Sequence, residues 1–314
     1  MMKNIKPKYF KENYWKNYME FYFGKDLIQF WEEQGQEEWI KSNDSDLHIE
    51  IYTHKDQVKP TLIFSHGIAG YARILLPFIK PLFEKGVNII APDLMGYGYN
   101  KGKRGKFEFN LHVENLGDTL KYATKNFEGK ILLGGGSMGG PLAYCAGARY
   151  RDIDGLVCFC LFDFQDKEFI KDAARFGRYT PYVLTFLKKF RRIIGSVLIK
   201  NEKVISYDGL SISELVDLIK EDPHSGAKLT INAAISLLTQ SIPDIPYEQW
   251  KIPTLILQPG ADRMTPPEYT RKVYEKLGSS HKKYVEIEGA EHYPTKREYY
   301  NIWASEVVDF IENL

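Results

Sequence analysis

The chain has 314 residues, 44% of them hydrophobic, which is enough for one sizeable core with room for an insertion. Its formal net charge of +1 gives no global pull toward nucleic acid or an anionic membrane, so no nucleic-acid partner is expected. Three cysteines, Cys145, Cys158 and Cys160, are odd in number and sit in apolar runs, which excludes a disulfide frame. They are expected as buried free thiols of a reducing, cytoplasmic compartment. Cys158 and Cys160 form C-x-C on one strand face without a second pair, so no metal site is read from them. No run reaches the length of a membrane span. Lys3, Lys6, Lys8 and Lys11 precede no compact apolar stretch, so no signal peptide is expected.

Residues 1–45 form an aromatic-rich leader, read as a helical extension. Tyr14, Tyr18, Phe21 and Tyr22 have helical spacing, and Phe30, Trp31 and Trp39 follow. From residue 47 strands and helices alternate. Strands are expected at 47–53, 61–65, 87–91, 130–133 and 155–161. Helices are expected at 73–85, 109–126 and 137–149. After residue 250 the order continues as strand 253–258, helix 267–277, strand 283–287 and helix 297–314. Such alternation predicts an α/β fold: a mostly parallel sheet flanked by helices, with reactive groups on loops at the C-terminal strand ends.

Residues 163–250 break the alternation and are read as a helical cap inserted into a core of 46–162 and 251–314. Its helices are expected at 173–187, 191–200, 211–221 and 228–238. Between Phe176 and Lys203, basic residues interleave with apolar ones. The simpler reading is a core-facing helix with solvated lysines. The other is a surface that makes transient contact with a membrane.

Gly135, Ser137 and Gly139 fit G-x-S-x-G between a strand and a small-residue helix. Such a turn strains the serine backbone and presents its hydroxyl at the sheet edge. Glycine at the two flanking positions avoids clashes. A second loop, Ser65-His66-Gly67-Ile68, follows a strand. Gly67 is expected to let the backbone turn so that the N–H of Ile68 and that of Met138 bind an oxyanion; one such donor is worth ~10²–10³ in rate. His66 is expected to orient that loop.

Asp262 lies in the loop after strand 253–258, and His292 in the loop after the last strand. The order Ser137, Asp262, His292 suits a nucleophile, an orienting acid and a general base. Asp163 and Asp166, just past strand 155–161, compete with Asp262 for the acid role.

With these residues in view, the chain resembles the α/β-hydrolases, and among them the monoacylglycerol lipase and lysophospholipase group. The resemblance rests on His66-Gly67, Gly135-Gly136-Ser137-Met138-Gly139-Gly140, Gly260-Ala261-Asp262 and Gly289-Ala290-Glu291-His292. Pro92-Asp93 with Gly96, Gly98 and Gly102 adds to it. It implies the α/β-hydrolase fold and hydrolysis of carboxylic esters with acyl chains, such as monoacylglycerols or lysophospholipids. It also implies no organic cofactor and no metal, with a small acyl ester as the partner molecule. The chain departs from the group at Gly136, where His is common, and at Asn100, where Ser is common. Ile68-Ala69-Gly70-Tyr71 lacks the Glu-His often found there. The same three residues would also serve a thioesterase, an amide hydrolase or an acyltransferase; a non-catalytic binding module would be expected to lack one of them.

Overall fold

A computed structural model describes residues 13–56, 58–204 and 213–314. The N-terminal lysines and the expected helix start at Ser211 lie outside the described residues. The chain opens with α1 (Trp15–Tyr22) and α2 (Lys25–Gln34), then β1 (Gln36–Ser42) and β2 (Ser45–Tyr52). The alternating body follows as β3 (Thr61–Ser65), α3 (Leu76–Glu84), β4 (Asn88–Pro92), α4 (Phe109–Asn126), β5 (Ile131–Gly136), α5 (Gly139–Tyr150) and β6 (Gly155–Phe159). An inserted segment holds α6 (Lys167–Ala173), α7 (Thr180–Ile194), β7 (Leu198–Lys200), α8 (Ser213–Glu221), β8 (Lys228–Thr230) and α9 (Ile231–Thr239). The body closes with β9 (Thr254–Pro259), α10 (Pro267–Lys276), β10 (Lys282–Ile287) and α11 (Arg297–Glu312).

Eight strands form one sheet in the order β1-β2-β4-β3-β5-β6-β9-β10. Pairings from β4 to β10 are parallel, and β1 and β2 add an antiparallel edge. Every residue of β3, β4, β6 and β9 is buried. Helices cover both faces, so these strands read as continuous apolar runs. This is the α/β-hydrolase fold. The chain leaves β3 toward β4 and returns on the other side at β5, which makes the β3–β5 gap the topological switch point. In that gap Ser65 pairs with Gly135, so the loop after β3 and the turn after β5 emerge side by side.

Three expectations needed correction. Gln36–Ser42 is a sheet strand, not part of a helical extension. Its charged, half-exposed edge position hides the apolar signal of a strand. The inserted segment is not purely helical, because β7 and β8 form an antiparallel pair. One helix, α7, replaces the two expected around Lys188. Pro181 fits its first turn, and Gly195-Ser196 followed by β-branched Val197 and Ile199 ends it. The described part of the leader packs onto the body, with Trp15, Tyr18 and Met19 buried.

Candidate active site

Ser137 sits in the turn between β5 and α5 with φ +55°, a left-handed conformation that costs a residue bearing Cβ about 1–3 kcal/mol. Its N–H donates to the carbonyl of Phe159 at 3.0 Å, tying the turn to β6. A Cβ on Gly135 would lie 2.5 Å from the backbone of Gly139, and one on Gly139 would run into the carbonyl of Ser65. Both flanking glycines are therefore required by close approach, as the motif predicts.

His292 stands beside the serine. Its Nε2 lies 3.1 Å from Ser137 Oγ, and its Nδ1 lies 2.8 Å from Asp262 Oδ2. Asp262 Oδ1 accepts the backbone N–H groups of Met264 at 2.8 Å and Thr265 at 2.9 Å. Oδ2 also accepts the Thr265 hydroxyl at 2.5 Å and the Cys160 thiol at 3.5 Å. Burial pushes the Asp262 carboxyl up. The His292 charge and these hydrogen bonds push it further down, so it lies below the ordinary carboxylate value. Ser137, His292 and Asp262 thus form one hydrogen-bonded chain from three separate loops.

Sequence reasoning missed Cys160 and Thr265 as partners of Asp262. The spacing Asp262-x-x-Thr265 before a Pro-started helix was a usable signal for Thr265. Cys160, at φ +71°, gave none. The competing acids are employed elsewhere. Asp163 accepts from the Gln165 N–H at 2.7 Å, and burial holds its carboxyl above the ordinary value. Asp166 caps α6 through the Glu168 N–H and pairs with Lys272 at 2.6 Å.

The loop after β3 is fixed from behind. His66 Nδ1 donates to the carbonyl of Gly67 at 2.8 Å, and Nε2 accepts the N–H of Leu94 at 3.0 Å. Both ring nitrogens are committed, and burial keeps the ring below its ordinary pKa, so it is neutral. His66 thus bonds the backbone of this loop on one side and that of Leu94 on the other. Gly67 has a different duty from the one expected. The positive φ belongs to Ala69, at +60°, whereas a Cβ on Gly67 would lie 2.8 Å from the Ser137 Cβ. Gly67 is needed for clearance, not for turning. Among the described residues, the N–H groups of Ile68 and Met138 go to no protein acceptor. Met138 stands at the N-terminus of α5, where the helix dipole favours negative charge.

Asp93 anchors the next turn of this loop. It accepts the N–H of Ala72 and that of Tyr99, each at 2.7 Å, and His48 Nδ1 lies 2.8 Å away. Burial alone would lower the pKa of His48; its carboxylate neighbours Asp93 and Glu37 carry it up to about 9. Asn100 joins the two residues, accepting from the His48 N–H at 2.8 Å and donating to the Asp93 carbonyl at 2.5 Å. Arg73, one residue past Ala72, is buried between Glu50 and Glu37 and lies under the ring of Trp31 at 4.2 Å. The leader therefore buttresses the loop that carries Ile68.

Above Ser137 lies a cavity of ≈ 320 Å³ that Ile68, Met138 and His292 also line. Its remaining walls are mostly apolar. Phe162, Phe164, Phe169, Leu184, Leu187 and Ile235 are among them, most of these from the inserted segment. Among the described residues no carboxylate lines it.

The model of the Hydrolase_4 family, described as Serine aminopeptidase, S33, matches residues 56–296. An uncharacterized 31.7 kDa protein of the traX-finO intergenic region of Escherichia coli is 23% identical over 247 residues, covering 74% of this chain and 83% of that protein. The monoacylglycerol lipase of Paleococcus ferrophilus superposes with TM-score 0.65 at 21% identity, covering 85% of this chain and 98% of that one. A soluble variant of the Saccharomyces cerevisiae monoglyceride lipase, in complex with a substrate analog, gives 0.67 at 14% identity, covering 89% and 94%. A highly thermostable carboxyl esterase from Bacillus coagulans gives 0.68 at 17% identity, covering 89% and 98%. At these identities the structures speak for the fold. The family match covers most of the chain and runs from before β3 through the loop of His292. The chain belongs to the Hydrolase_4 family of serine aminopeptidase, S33 type.

Proposed function

We propose that this protein is a serine hydrolase that cleaves carboxylic esters of acyl chains, such as monoacylglycerols or lysophospholipids. The observation that carries the reading is the Ser137–His292–Asp262 hydrogen-bonded chain at the floor of an apolar cavity. His292 takes the Ser137 proton as Oγ attacks the ester carbonyl. The N–H groups of Ile68 and Met138 stabilise the oxyanion. The carbonyl re-forms, and the alcohol leaves with the proton from His292. Water then attacks the acyl-enzyme by the same route, restoring Ser137 and releasing the acid. Asp262 holds the imidazole tautomer and balances its charge. Residues 163–250 act as a cap that excludes water and shapes the acyl pocket.

Esters are favoured over the aminopeptidase substrates in the family description. An aminopeptidase must bind the substrate's α-ammonium group, and burying that charge needs an anionic partner. The described cavity lining offers none. At ≈ 320 Å³ the cavity lies at the lower end of the ~300–1,000 Å³ typical of small-ligand sites. Three free, buried cysteines support a cytoplasmic assignment. No described helix is long and apolar enough to cross a membrane.

The test is hydrolysis of p-nitrophenyl esters from acetate to palmitate beside the matching anilides and thioesters. Turnover should peak at medium or long acyl chains and be fastest for the ester. A peak at acetate would remove the acyl pocket from the reading. Anilides cleaved faster than esters would return the protein to amide chemistry.

A paired substitution tests the loop. In Gly67→Ala the new methyl group presses on the Ser137 Cβ, and one of the two must move. Misplacement of a reacting group by about 1 Å can cost 10²-fold, and kcat is expected to fall by about that factor. In Gly136→Ala the nearest atoms are 3.9 Å away, so steady-state rates should stay within a few-fold. Equal losses in both variants would mean that Gly67 is not there for clearance.

A further inference from the structure

Tyr182, Phe186, Phe190 and Ile193 follow one another on α7 at steps of four, four and three residues. At 100° per residue they fall within an arc of about 80°. Val183, Leu184 and Leu187 occupy the neighbouring arc and line the cavity. The apolar side of α7 is therefore wider than the surface it covers, and the excess faces water. Tyr182 is 76% exposed, Phe186 59% and Ile193 80%. Tyr179 before the helix and Val197 after it are also exposed. Scattered exposed apolar residues are ordinary, but a contiguous stripe on one helix marks an interaction surface. The core-facing reading of this segment accounts for the inner arc alone.

Charge identifies the occupant. Between Phe176 and Lys203 stand seven basic residues and one acidic residue, in a chain of net charge +1. Lys188, Lys189, Arg191 and Arg192 are exposed, and among the described residues none of the four pairs with a carboxylate. A second copy docking through this face would bring two such basic surfaces together, because a two-fold interface sets each patch against itself. An anionic lipid surface complements both features, taking the rings among its acyl chains and the cations among its head groups.

We propose that α7 is the membrane-docking element of this protein and that its partner is an anionic lipid bilayer surface. Docking brings the rim of the cavity to the lipid. Phe176, itself half exposed, both lines the cavity and lies at the start of this basic, apolar stretch. A single-chain lipid then passes into the cavity without crossing water.

The experiment is flotation of the full chain with phosphatidylcholine vesicles, with and without phosphatidylserine. The wild type should float with the anionic vesicles at least about tenfold better than with the neutral ones. Raising the salt from about 0.1 M to about 1 M shortens the screening length from ~10 Å to ~3 Å, and should release most of the bound protein. The triple variant Tyr182→Ser, Phe186→Ser, Ile193→Ser should lose binding to both vesicles. The triple variant Lys188→Gln, Lys189→Gln, Arg192→Gln should lose only the anionic preference. None of these six residues lines the cavity, so hydrolysis of a soluble short-chain ester should be unchanged in both variants. That control also shows that they fold. Wild-type protein that stays with the buffer, or an aromatic-stripe variant that floats as well as wild type, would overturn the proposal. So would a dimer in sedimentation velocity that the serine variant abolishes while no protein floats. Flotation reads docking without turnover, so failure of the ester assignment would leave its result interpretable.

Discussion

Ser137→Ala is expected to lower ester turnover by on the order of 10⁶, the scale seen when a serine nucleophile that works with a histidine is removed. The argument starts from the backbone. The turn holds residue 137 at φ +55° whatever its side chain, since the Phe159 carbonyl and the helix start fix both ends. Alanine keeps the same Cβ in the same strained position, so the fold should be unaffected. What is lost is Oγ, the atom 3.1 Å from His292 Nε2. Ser137→Gly separates strain from chemistry. Glycine adopts positive φ freely, and relief of about 1–3 kcal/mol of strain outweighs the ~0.5–1 kcal/mol of added chain entropy. The glycine variant should therefore be equally inactive but melt at or above the wild-type temperature. Reaction with a fluorophosphonate supplies the covalent check. Wild type should carry one phosphonyl adduct on the Ser137 peptide, and both variants none. Full turnover by folded Ser137→Ala, or an adduct on another serine, would sink the assignment.

The parts of the site legible in the sequence are those in which one short stretch carries both the residue and its reason. The serine turn, the His66-Gly67 loop and the Asp262 loop each follow an apolar strand run, the His292 loop follows the edge strand β10, and the order of the strands brings them to one edge. The supporting structure was not legible, because it is assembled from distant segments. Arg73 meets Glu37, Glu50, Trp31 and Tyr99, and no local pattern joins those positions. The β1 strand carries charge on an edge, so its period is masked. The pair β7 and β8 is three residues long on each side, too short for periodicity to register. The periodicity of α7 shows a broad apolar arc but not where the protein ends and water begins. That boundary depends on packing against α9 and the cavity, which the sequence does not state.

Asp262→Asn should lower kcat by about 10⁴, the factor found for the same change in a serine protease. The local hydrogen bonds explain why an isosteric change is so costly. Two backbone N–H groups, those of Met264 and Thr265, point at Oδ1 and need an acceptor. In the asparagine variant the amide oxygen must take that place, because the NH₂ group there would oppose two donors. The NH₂ then occupies the Oδ2 position, 2.8 Å from His292 Nδ1. Facing a donor, Nδ1 must accept, so the imidazole proton moves to Nε2. The ring now presents N–H to Ser137 Oγ instead of a lone pair, and it cannot take the serine proton. In the minor tautomer that can still take it, the imidazolium has lost its carboxylate partner. Asp163→Asn is the control. That carboxylate receives the Gln165 N–H, which an amide oxygen also accepts, so rates should stay within a few-fold. Steady-state kinetics on one p-nitrophenyl ester decides between the two acids. If Asp163→Asn is the crippling change and Asp262→Asn is mild, the histidine is oriented and balanced during turnover by a different carboxylate from the one bonded to it in this fold.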